Sequence, residues 1–316
     1  MFNSTNKHIV VVLYDGIGNS VFQSQVLAPL LEMINNSSNL EITIVSFEKE
    51  QLSAEALRAI PADDKLHVMI FSKLRFFGKP SLYPAVSKLI KMLSKNSCHQ
   101  IIARGPLAGW VATKALEKMA LRDPERLRKE SQNPFPSLVI QARGLCADEY
   151  RYANMREPKN FFMQLVNKFM YGALHQIELE VYRNKRQTDF PHDVTIEAVS
   201  PALKEHLIKN FRAEGAKITI ATKDLTKSVD KQQVQAWRTE IRTKLGIPAD
   251  TYVYCYSGSY KPWQCADQTM AYFADEFKKD HKLFLLVLSQ DQDKFSAALK
   301  ALKLPKDCYR LKQFRW

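Results

Sequence analysis

Short apolar runs alternate with amphipathic stretches along most of the chain, and this pattern predicts strands separated by helices. Apolar runs predict seven strands in the first two thirds, at 8–14, 40–46, 66–72, 100–103, 137–142, 194–199 and 217–221. Amphipathic stretches between them predict helices at 21–34, 84–93, 107–121, 160–186 and 201–211. Repeated strand–helix–strand units predict an α/β protein with a parallel sheet covered by helices on both faces.

The pattern stops at residues 222–231, which are polar and charged, and then starts again. Helices are predicted at 232–245, 267–279 and 291–302, and strands at 252–256, 283–288 and 309–313. We therefore predict two Rossmann-like domains, 1–222 and 223–316. Three strands are about half of the ~6 that such a domain usually has, so the second domain is expected to be incomplete.

Composition indicates a globular chain of 316 residues, with 46% hydrophobic and 25% charged residues and no apolar run near the ~20 residues that a membrane span needs. Five cysteines are scattered with no Cys-x-x-Cys spacing, which is typical of a reducing compartment. Seven histidines are also dispersed, without metal-ligand spacing. The sequence predicts a cytoplasmic protein without a signal peptide and without a metal.

The first candidate site is Asp15-Gly16-Ile17-Gly18-Asn19-Ser20, between the first predicted strand and the first predicted helix. The glycines can take positive φ or admit a ligand close to the backbone, and Ser20 can cap the helix, whose N-terminus would attract an anion. A tight turn without a ligand is an equal alternative for this pattern. A dinucleotide site is disfavoured, because Val21 stands where the third glycine is needed and Glu48 lies beyond the expected ~20 residues.

Two further segments place polar groups at the ends of predicted strands. Arg143 and Gly144 follow the fifth strand and precede the acid pair Asp148 and Glu149. A guanidinium there suits phosphate or carboxylate, although a structural arginine before a helix-start acid pair explains the residue types better. Ser257-Gly258-Ser259-Tyr260-Lys261 follows the first strand of the second domain and offers hydroxyl and backbone donors with one cation.

These segments, in this order and together with Ala198-Val199-Ser200-Pro201, resemble the GT-B glycosyltransferases, and most nearly the retaining, family-four-like group that builds bacterial surface polysaccharides. The resemblance implies two Rossmann-like domains facing a cleft, with the acceptor on the first and a nucleotide-sugar on the second. It places Gly16, Gly18 and Asn19 near the donor phosphates or the acceptor, and Gly258, Ser259 and Lys261 at the donor diphosphate. Arg143 would lie beside them.

The sequence departs from that family in two respects. Many members carry a histidine where this chain has Arg143, so no catalytic residue is assigned. The family's pair of glutamates, eight residues apart in the donor domain, has no counterpart before Trp316. The chain is expected to be a truncated piece of a longer protein, or else to have a degenerate donor site, and to be poorly active as it stands. The resemblance implies no cofactor other than the nucleotide-diphosphate-sugar co-substrate.

The charge of the chain is uneven as well as high. The net charge is +13, and residues 65–116 hold nine cations and no acid. Within this block, five residues are predicted to face an anionic membrane: Lys73, Arg75, Phe76, Phe77 and Lys79. The alternative is a solvated helix face with Phe76 and Phe77 in the core. No nucleic-acid-binding motif is present.

A Met and aromatic cluster occupies residues 160–170, where its helical spacing predicts core, or a cover over the cleft. The sequence as a whole predicts a peripheral glycosyltransferase on the inner face of the membrane, acting on a glycan or lipid-linked acceptor. The alternative from another class is a non-catalytic Rossmann-like module that binds anionic lipid or glycan through its basic face.

Overall fold

The computed structural model describes residues 7–14, 16–18, 21–123, 135–155, 160–183, 194–221 and 229–313. The chain divides into two compact units, Met1–Lys223 and Asp224–Trp316. The boundary predicted after residue 222 lies outside the described residues, as does most of the polar segment around it.

The first unit is built on a parallel sheet of seven strands in the order β3-β2-β1-β4-β5-β6-β7. The strands are β1 (Lys7–Tyr14), β2 (Leu40–Glu48), β3 (Leu66–Ser72), β4 (Gln100–Arg104), β5 (Ser137–Ala142), β6 (Val194–Ala198) and β7 (Ile218–Ile220). All seven predicted strands are confirmed, with ends that differ by at most two residues.

Within the described residues, seven α-helices accompany this sheet. They are α1 (Ala28–Asn35), α2 (Ala54–Arg58), α3 (Tyr83–Leu93), α4 (Gly105–Arg122), α5 (Cys146–Asn154), α6 (Phe161–Tyr182) and α7 (Pro201–Phe211). A π-helical turn, Gln23–Leu27, leads into α1, and Ser20, predicted as the cap of this helix, lies outside the described residues. The predicted cap of α7 is confirmed, because Ser200 Oγ accepts the Leu203 N–H at 3.2 Å.

Both faces of the central strand β1 are buried, which explains why its sequence is apolar without interruption. Val10 and Val12 point into a large core shared with α3, α4 and α6. Ile9, Val11 and Leu13 point to the other face, against the segment 22–34. Helices on both sides of one parallel sheet are the arrangement predicted from the sequence.

The second unit has a three-stranded parallel sheet in the order β10-β9-β8. Its elements are α8 (Lys231–Leu245), β8 (Tyr252–Ser257), α9 (Ala266–Lys279), β9 (Leu283–Leu288), α10 (Gln292–Ala301) and β10 (Tyr309–Lys312). Met270, Phe273 and Phe295 pack on Leu285 and Val287 to form its core. All six elements predicted for this part of the chain are confirmed.

The first half of α6 corrects one expectation. The cluster predicted as core or as a cover lies on a helix whose N-terminal residues are exposed, including Phe161, Phe162, Met163, Leu165 and Phe169. The prediction of core is therefore wrong for these five side chains. No helix within the described ranges is both long and apolar enough to cross a membrane.

Candidate functional site

A cavity of about 260 Å³ lies in the first unit at the carboxyl ends of β1, β4 and β5. Strand order reverses between β1 and β4, so the helices that follow them leave to opposite faces and open a crevice, where open α/β sheets bind ligands. The lining residues are Leu13, Tyr14, Gly16, Val21, Phe22, Val26, Arg104, Gly105, Pro106, Arg143, Gly144, Cys146 and Glu149. Two predicted residues, Gly16 and Arg143, thus meet in one cavity.

The loop after β1 is a glycine loop for a steric reason. Neither Gly16 nor Gly18 has a positive φ, so the conformational reason suggested by the sequence does not hold. A β-carbon on Gly16 would lie 2.5 Å from Leu13 Cβ, whereas one on Gly18 would be 3.5 Å from Leu52 Cδ2. Gly16 is therefore required by the close return of the chain onto its own strand. Asn19 lies outside the described residues.

Glu48 fixes this loop from the neighbouring strand. Its buried carboxylate accepts the Ile17 N–H at 2.9 Å and the Ser46 hydroxyl at 2.5 Å. The carboxylate that sequence spacing disfavoured as a ribose ligand is thus used to hold the turn in place. The turn at the mouth of the cavity is therefore held by β1, which it follows, and by β2, which carries Glu48.

Arg104 brings a second guanidinium into the cavity from the end of β4. Its Nη1 and Nη2 donate to the backbone oxygen and side-chain Oε1 of Gln25, at 3.2 and 2.5 Å. Gly105 follows with φ +80°, a conformation that favours glycine, and α4 begins there. The cavity therefore holds two arginines and the N-terminus of an 18-residue helix, features that favour an anionic group.

The segment after β5 closes another side. The acid pair Asp148 and Glu149 stands in the first turn of α5, so the helix-start explanation of these residues is confirmed. Glu149 also lines the cavity, and a β-carbon on Gly144 would lie 2.9 Å from Glu149 Oε1. A carboxylate and two guanidinium groups therefore surround the same space.

Glu178 on α6 lies beneath this wall and is almost completely buried. Its Oε1 accepts the Ala147 N–H at 3.3 Å, at the start of α5. Burial raises the pKa of the Glu178 carboxyl to about 7, and hydrogen bonds from Cys146 and the Ala147 amide oppose the rise. Burial and the Glu178 charge raise the pKa of the Cys146 thiol, which makes it a poor nucleophile at neutral pH.

The predicted donor loop of the second unit follows β8 and is firmly held. The Gly258 N–H donates to Leu288 O at 3.1 Å, so this amide is occupied by the sheet edge. Ser259 Oγ donates to Gln264 Oε1 at 2.8 Å, and the Tyr260 N–H donates to Asp291 Oδ2 at 2.8 Å. The loop therefore offers a ligand the Ser259 hydroxyl oxygen as an acceptor. It does not offer a row of free backbone N–H donors.

Lys261 is exposed at the end of this loop, with its Nζ 5.1 Å from the centre of the Trp263 ring. The Tyr260 N–H, Lys294 and Lys261 all lower the pKa of Asp291. Lys261 is thus a cation at the carboxyl end of the first strand of its unit, close to one carboxylate. The described residues of neither unit contain a group of three or more His, Cys, Asp or Glu that could hold a metal ion.

The predicted membrane-facing stretch follows β3 at the carboxyl edge of the first sheet. Arg75 and Phe77 are exposed, but Phe76 packs against the core, so the alternative is right for that residue. Lys73 Nζ lies 4.3 Å from the centre of the Tyr14 ring. Lys79 forms an ion pair with Glu180 of α6, which reduces the positive charge predicted from the acid-free sequence.

Sequence reasoning missed three of these groups. Arg104 is separated from Gln25 by 79 residues, and only the pairing of β1 with β4 brings them together. Glu178 was detectable in principle, since it shares the helical face of Leu174, Ile177 and Val181, all of them buried. Asp291 was placed at the start of a helix, but its contact with Tyr260 crosses 31 residues.

No protein-family model matches the sequence, and no curated protein matches it. Solved structures do resemble it in fold. WaaG, a glycosyltransferase involved in lipopolysaccharide biosynthesis, is 12% identical with a TM-score of 0.56, over 97% of this chain and 70% of that one. A glycosyltransferase from Rickettsia africae ESF-5 is 10% identical with a TM-score of 0.52, over 98% and 68% of the two chains.

A third solved structure belongs to an enzyme of another reaction class. The UDP-N-acetylglucosamine 2-epimerase from Rickettsia bellii is 10% identical with a TM-score of 0.50, over 97% of this chain and 68% of that one. The predicted GT-B-like α/β fold is confirmed, with one seven-stranded and one three-stranded parallel sheet. At these identities the likeness concerns the fold, and function has to be argued from the site.

Proposed function

We propose that the protein transfers a sugar from a nucleotide-diphosphate-sugar to a hydroxyl group of an acceptor. The observation that carries this proposal is the cavity at the β1/β4 switch point, where Arg104, Arg143 and Glu149 converge within a GT-B fold. The arginines suit an anionic group, and Glu149 suits a sugar hydroxyl. We assign the acceptor to this cavity in the first unit.

The donor is assigned to the second unit. Its loop after β8 offers the Lys261 cation, with the Ser259 hydroxyl beside it, at the carboxyl end of a parallel strand. A lysine ammonium is a compact charge that pairs well with phosphate oxygens. Because the Gly258 N–H already donates to Leu288 O, we assign the diphosphate contact to Lys261 and not to this amide.

We infer a retaining reaction. The acceptor oxygen forms a bond to the anomeric carbon while the bond from that carbon to the donor phosphate oxygen breaks. The released phosphate takes the acceptor proton, so the reaction needs no protein general base. Lys261 would stabilise the negative charge that develops on the departing diphosphate.

We further propose that the acceptor is a glycan or a lipid-linked molecule of surface polysaccharide synthesis. We also propose that the protein acts on the inner face of a membrane. The support for a membrane location is the acid-free block 65–116, from which Arg75 and Lys91 remain exposed. Each cation near an anionic bilayer contributes about 1 kcal/mol.

Isothermal titration with UDP-, GDP- and ADP-sugars tests the donor assignment. One of them should bind, and Lys261→Ala should weaken that binding by about tenfold, the effect of one lost charge-assisted contact. Lys282→Ala is the control, because Lys282 is also an exposed lysine and precedes β9, which puts it at the opposite edge of the same sheet.

Two results would count against the proposal. If Lys261→Ala and Lys282→Ala weaken nucleotide-sugar binding equally, the loop after β8 does not bind the donor. Failure of the full-length protein to bind any nucleotide-sugar, with lipid or glycan binding intact, would favour the non-catalytic binding module instead.

A further inference from the structure

The N-terminal half of α6 presents an apolar stripe to solvent. Phe161, Leu165 and Phe169 are spaced four residues apart, which puts them on one face of the helix, and Phe162 borders that face. Their exposed fractions are 82%, 58%, 60% and 69% for Phe161, Leu165, Phe169 and Phe162. Four such large side chains in nine residues exceed what scattered surface apolar residues explain.

The opposite face of α6 holds the helix to the rest of the unit. Asn167 is buried, where its Oδ1 accepts the Tyr150 hydroxyl at 2.9 Å and its Nδ2 donates to Asn154 O at 2.8 Å. Leu174 and Ile177 continue this buried face towards the C-terminus. The helix thus carries large apolar side chains on both faces, a pattern expected of a helix that is surrounded, yet Phe161, Phe162 and Leu165 are mostly exposed in the described structure.

The loop 73–79 lies against the middle of α6 at Gly78. A β-carbon on Gly78, which has φ +101°, would lie 3.8 Å from both Phe169 Cζ and Ala173 Cβ. Phe77, 51% exposed, and Leu74, 49% exposed, add apolar surface on the same loop. We call six of the exposed apolar side chains of α6 and this loop the apolar ridge: Leu74, Phe77, Phe161, Phe162, Leu165 and Phe169.

Among the described residues, the charged side chains nearest in sequence to the apolar ridge are cations. Lys168 is exposed on α6 beside Phe161 and Leu165, and Arg75 is exposed between Leu74 and Phe77. Residues 160–177 of α6 and residues 65–116 contain no Asp or Glu. A large apolar surface rimmed by cations matches an anionic bilayer, whose headgroups attract the cations and whose acyl chains take up the apolar side chains.

We propose that the apolar ridge inserts into one leaflet of an anionic lipid bilayer, with α6 lying along the interface. This assigns membrane contact to a cluster that the sequence pattern predicts as core or as a cover over the cleft. It also leaves Phe76, which is partly buried against the core, out of the contact surface.

The position of α5 connects the apolar ridge to the cavity. Cys146 and Glu149 line the cavity at one end of α5, while Tyr150 and Asn154 contact Asn167 on α6. Helix α5 has nine residues, a length of about 13 Å. On the assumption of the proposed glycosyl transfer, an acceptor whose lipid stays in the leaflet would extend past α6 and along α5 to bring its sugar to Arg104 and Arg143, since the apolar ridge lies on the face of α6 opposite Asn167.

Vesicle co-sedimentation of the full chain tests the insertion. The protein should bind phosphatidylglycerol vesicles much more tightly than phosphatidylcholine vesicles, and the double substitution Phe161→Ser with Phe169→Ser should weaken binding by tenfold or more. Leu121→Ser is the control, because Leu121 is 84% exposed but lies sixteen residues beyond the cavity end of α4. It should bind vesicles as the unmodified chain does.

Phe162→Trp reports how deeply this side chain enters the bilayer. Its fluorescence should shift to shorter wavelength with phosphatidylglycerol vesicles and be quenched by lipids brominated on their acyl chains. No shift, or equal vesicle binding by the double variant and the unmodified chain, would overturn the proposal. So would a self-associated chain that the double substitution dissociates without a change in vesicle binding, since the ridge would then join two copies.

Titration of the double variant with a nucleotide-sugar keeps this proposal separate from the proposed function. Unchanged nucleotide-sugar binding with lost vesicle binding supports both. Vesicle binding that depends on the ridge in a protein that binds no nucleotide-sugar would support insertion alone.

Discussion

Glu178 and Ala147 are joined by a hydrogen bond of 3.3 Å that ties α6 to the first turn of α5, the turn that forms one wall of the cavity. The carboxyl group is 1% exposed, and burial raises its pKa to about 7. A group that changes charge near neutral pH therefore supports the wall from behind. His175 Nδ1 lies 4.0 Å from the other Glu178 oxygen, so the wall also has a histidine at its edge.

This pKa predicts how stability depends on pH. The folded chain keeps the Glu178 proton up to about pH 7, whereas the unfolded chain releases it near its ordinary value of 4.5. The stabilisation is full below pH 4.5 and is lost as pH rises to 7, by at most about 3 kcal/mol. Glu178→Gln, which stays neutral, should remove this decline and be the more stable form above pH 7.

Urea unfolding of both forms between pH 4 and pH 8 gives the difference directly. Glu205→Gln is the control, since Glu205 is exposed on α7 of the same unit and should leave the pH profile unchanged. If the profiles of the Glu178→Gln variant and the unmodified chain run parallel through this range, Glu178 does not titrate there.

The two glycines after β1 should respond differently to alanine. Gly16→Ala brings a methyl group to 2.5 Å from Leu13 Cβ, a contact that only movement of the chain relieves. We expect a loss of about 1–3 kcal/mol in unfolding free energy, as for other overpacked sites. Gly18→Ala meets Leu52 at an ordinary 3.5 Å and should change stability by less than about 0.5 kcal/mol.

Thermal and urea unfolding of the two variants check this difference. Equal and small effects would mean that the loop relaxes freely and that the cavity does not depend on its close return to Leu13. A larger effect at Gly18 than at Gly16 would contradict the described loop geometry.

Glu48 should also contribute to the loop. Glu48→Ala leaves the buried Ile17 N–H and the Ser46 hydroxyl without this acceptor, which should cost about 1–3 kcal/mol. Glu50→Ala, two residues away and exposed, should cost almost nothing and serves as the control. Urea unfolding measures both, and similar values for the two variants would refute a structural role for Glu48.

The elements were predictable because their signal is local. A strand buried on both faces, such as β1, needs an unbroken apolar run, and that run is visible without knowing its neighbours. The positions of the loops after β1, β5 and β8 could be predicted in the same way, because each loop begins where an apolar run ends. Sequence thus located Gly16, Arg143 and Lys261 at carboxyl ends, where the structure has them.

The contacts that complete the site were not predictable, because they join distant segments. Nothing near Arg104 indicates Gln25, and nothing near Ile17 indicates Glu48. Periodicity did not separate the two faces of α6, because apolar residues on both faces of a helix indicate burial whether protein or another medium surrounds them. Only the described packing separates the buried Ile177 from the exposed Phe169.

Asp291 should control the order of the loop after β8. Its Oδ2 accepts the Tyr260 N–H at 2.8 Å, and its other oxygen lies 3.3 Å from Lys294 Nζ. Asp291→Ala removes the acceptor, so the Tyr260 amide should exchange with solvent about tenfold faster, the equivalent of one lost hydrogen bond to a charged group. Asp293→Ala is the control, since Asp293 is exposed on the same helix. Hydrogen exchange followed by mass spectrometry measures both variants. Unchanged exchange at Tyr260 in Asp291→Ala would mean that the hydrogen bond from Gly258 to Leu288 at the sheet edge holds the loop without Asp291.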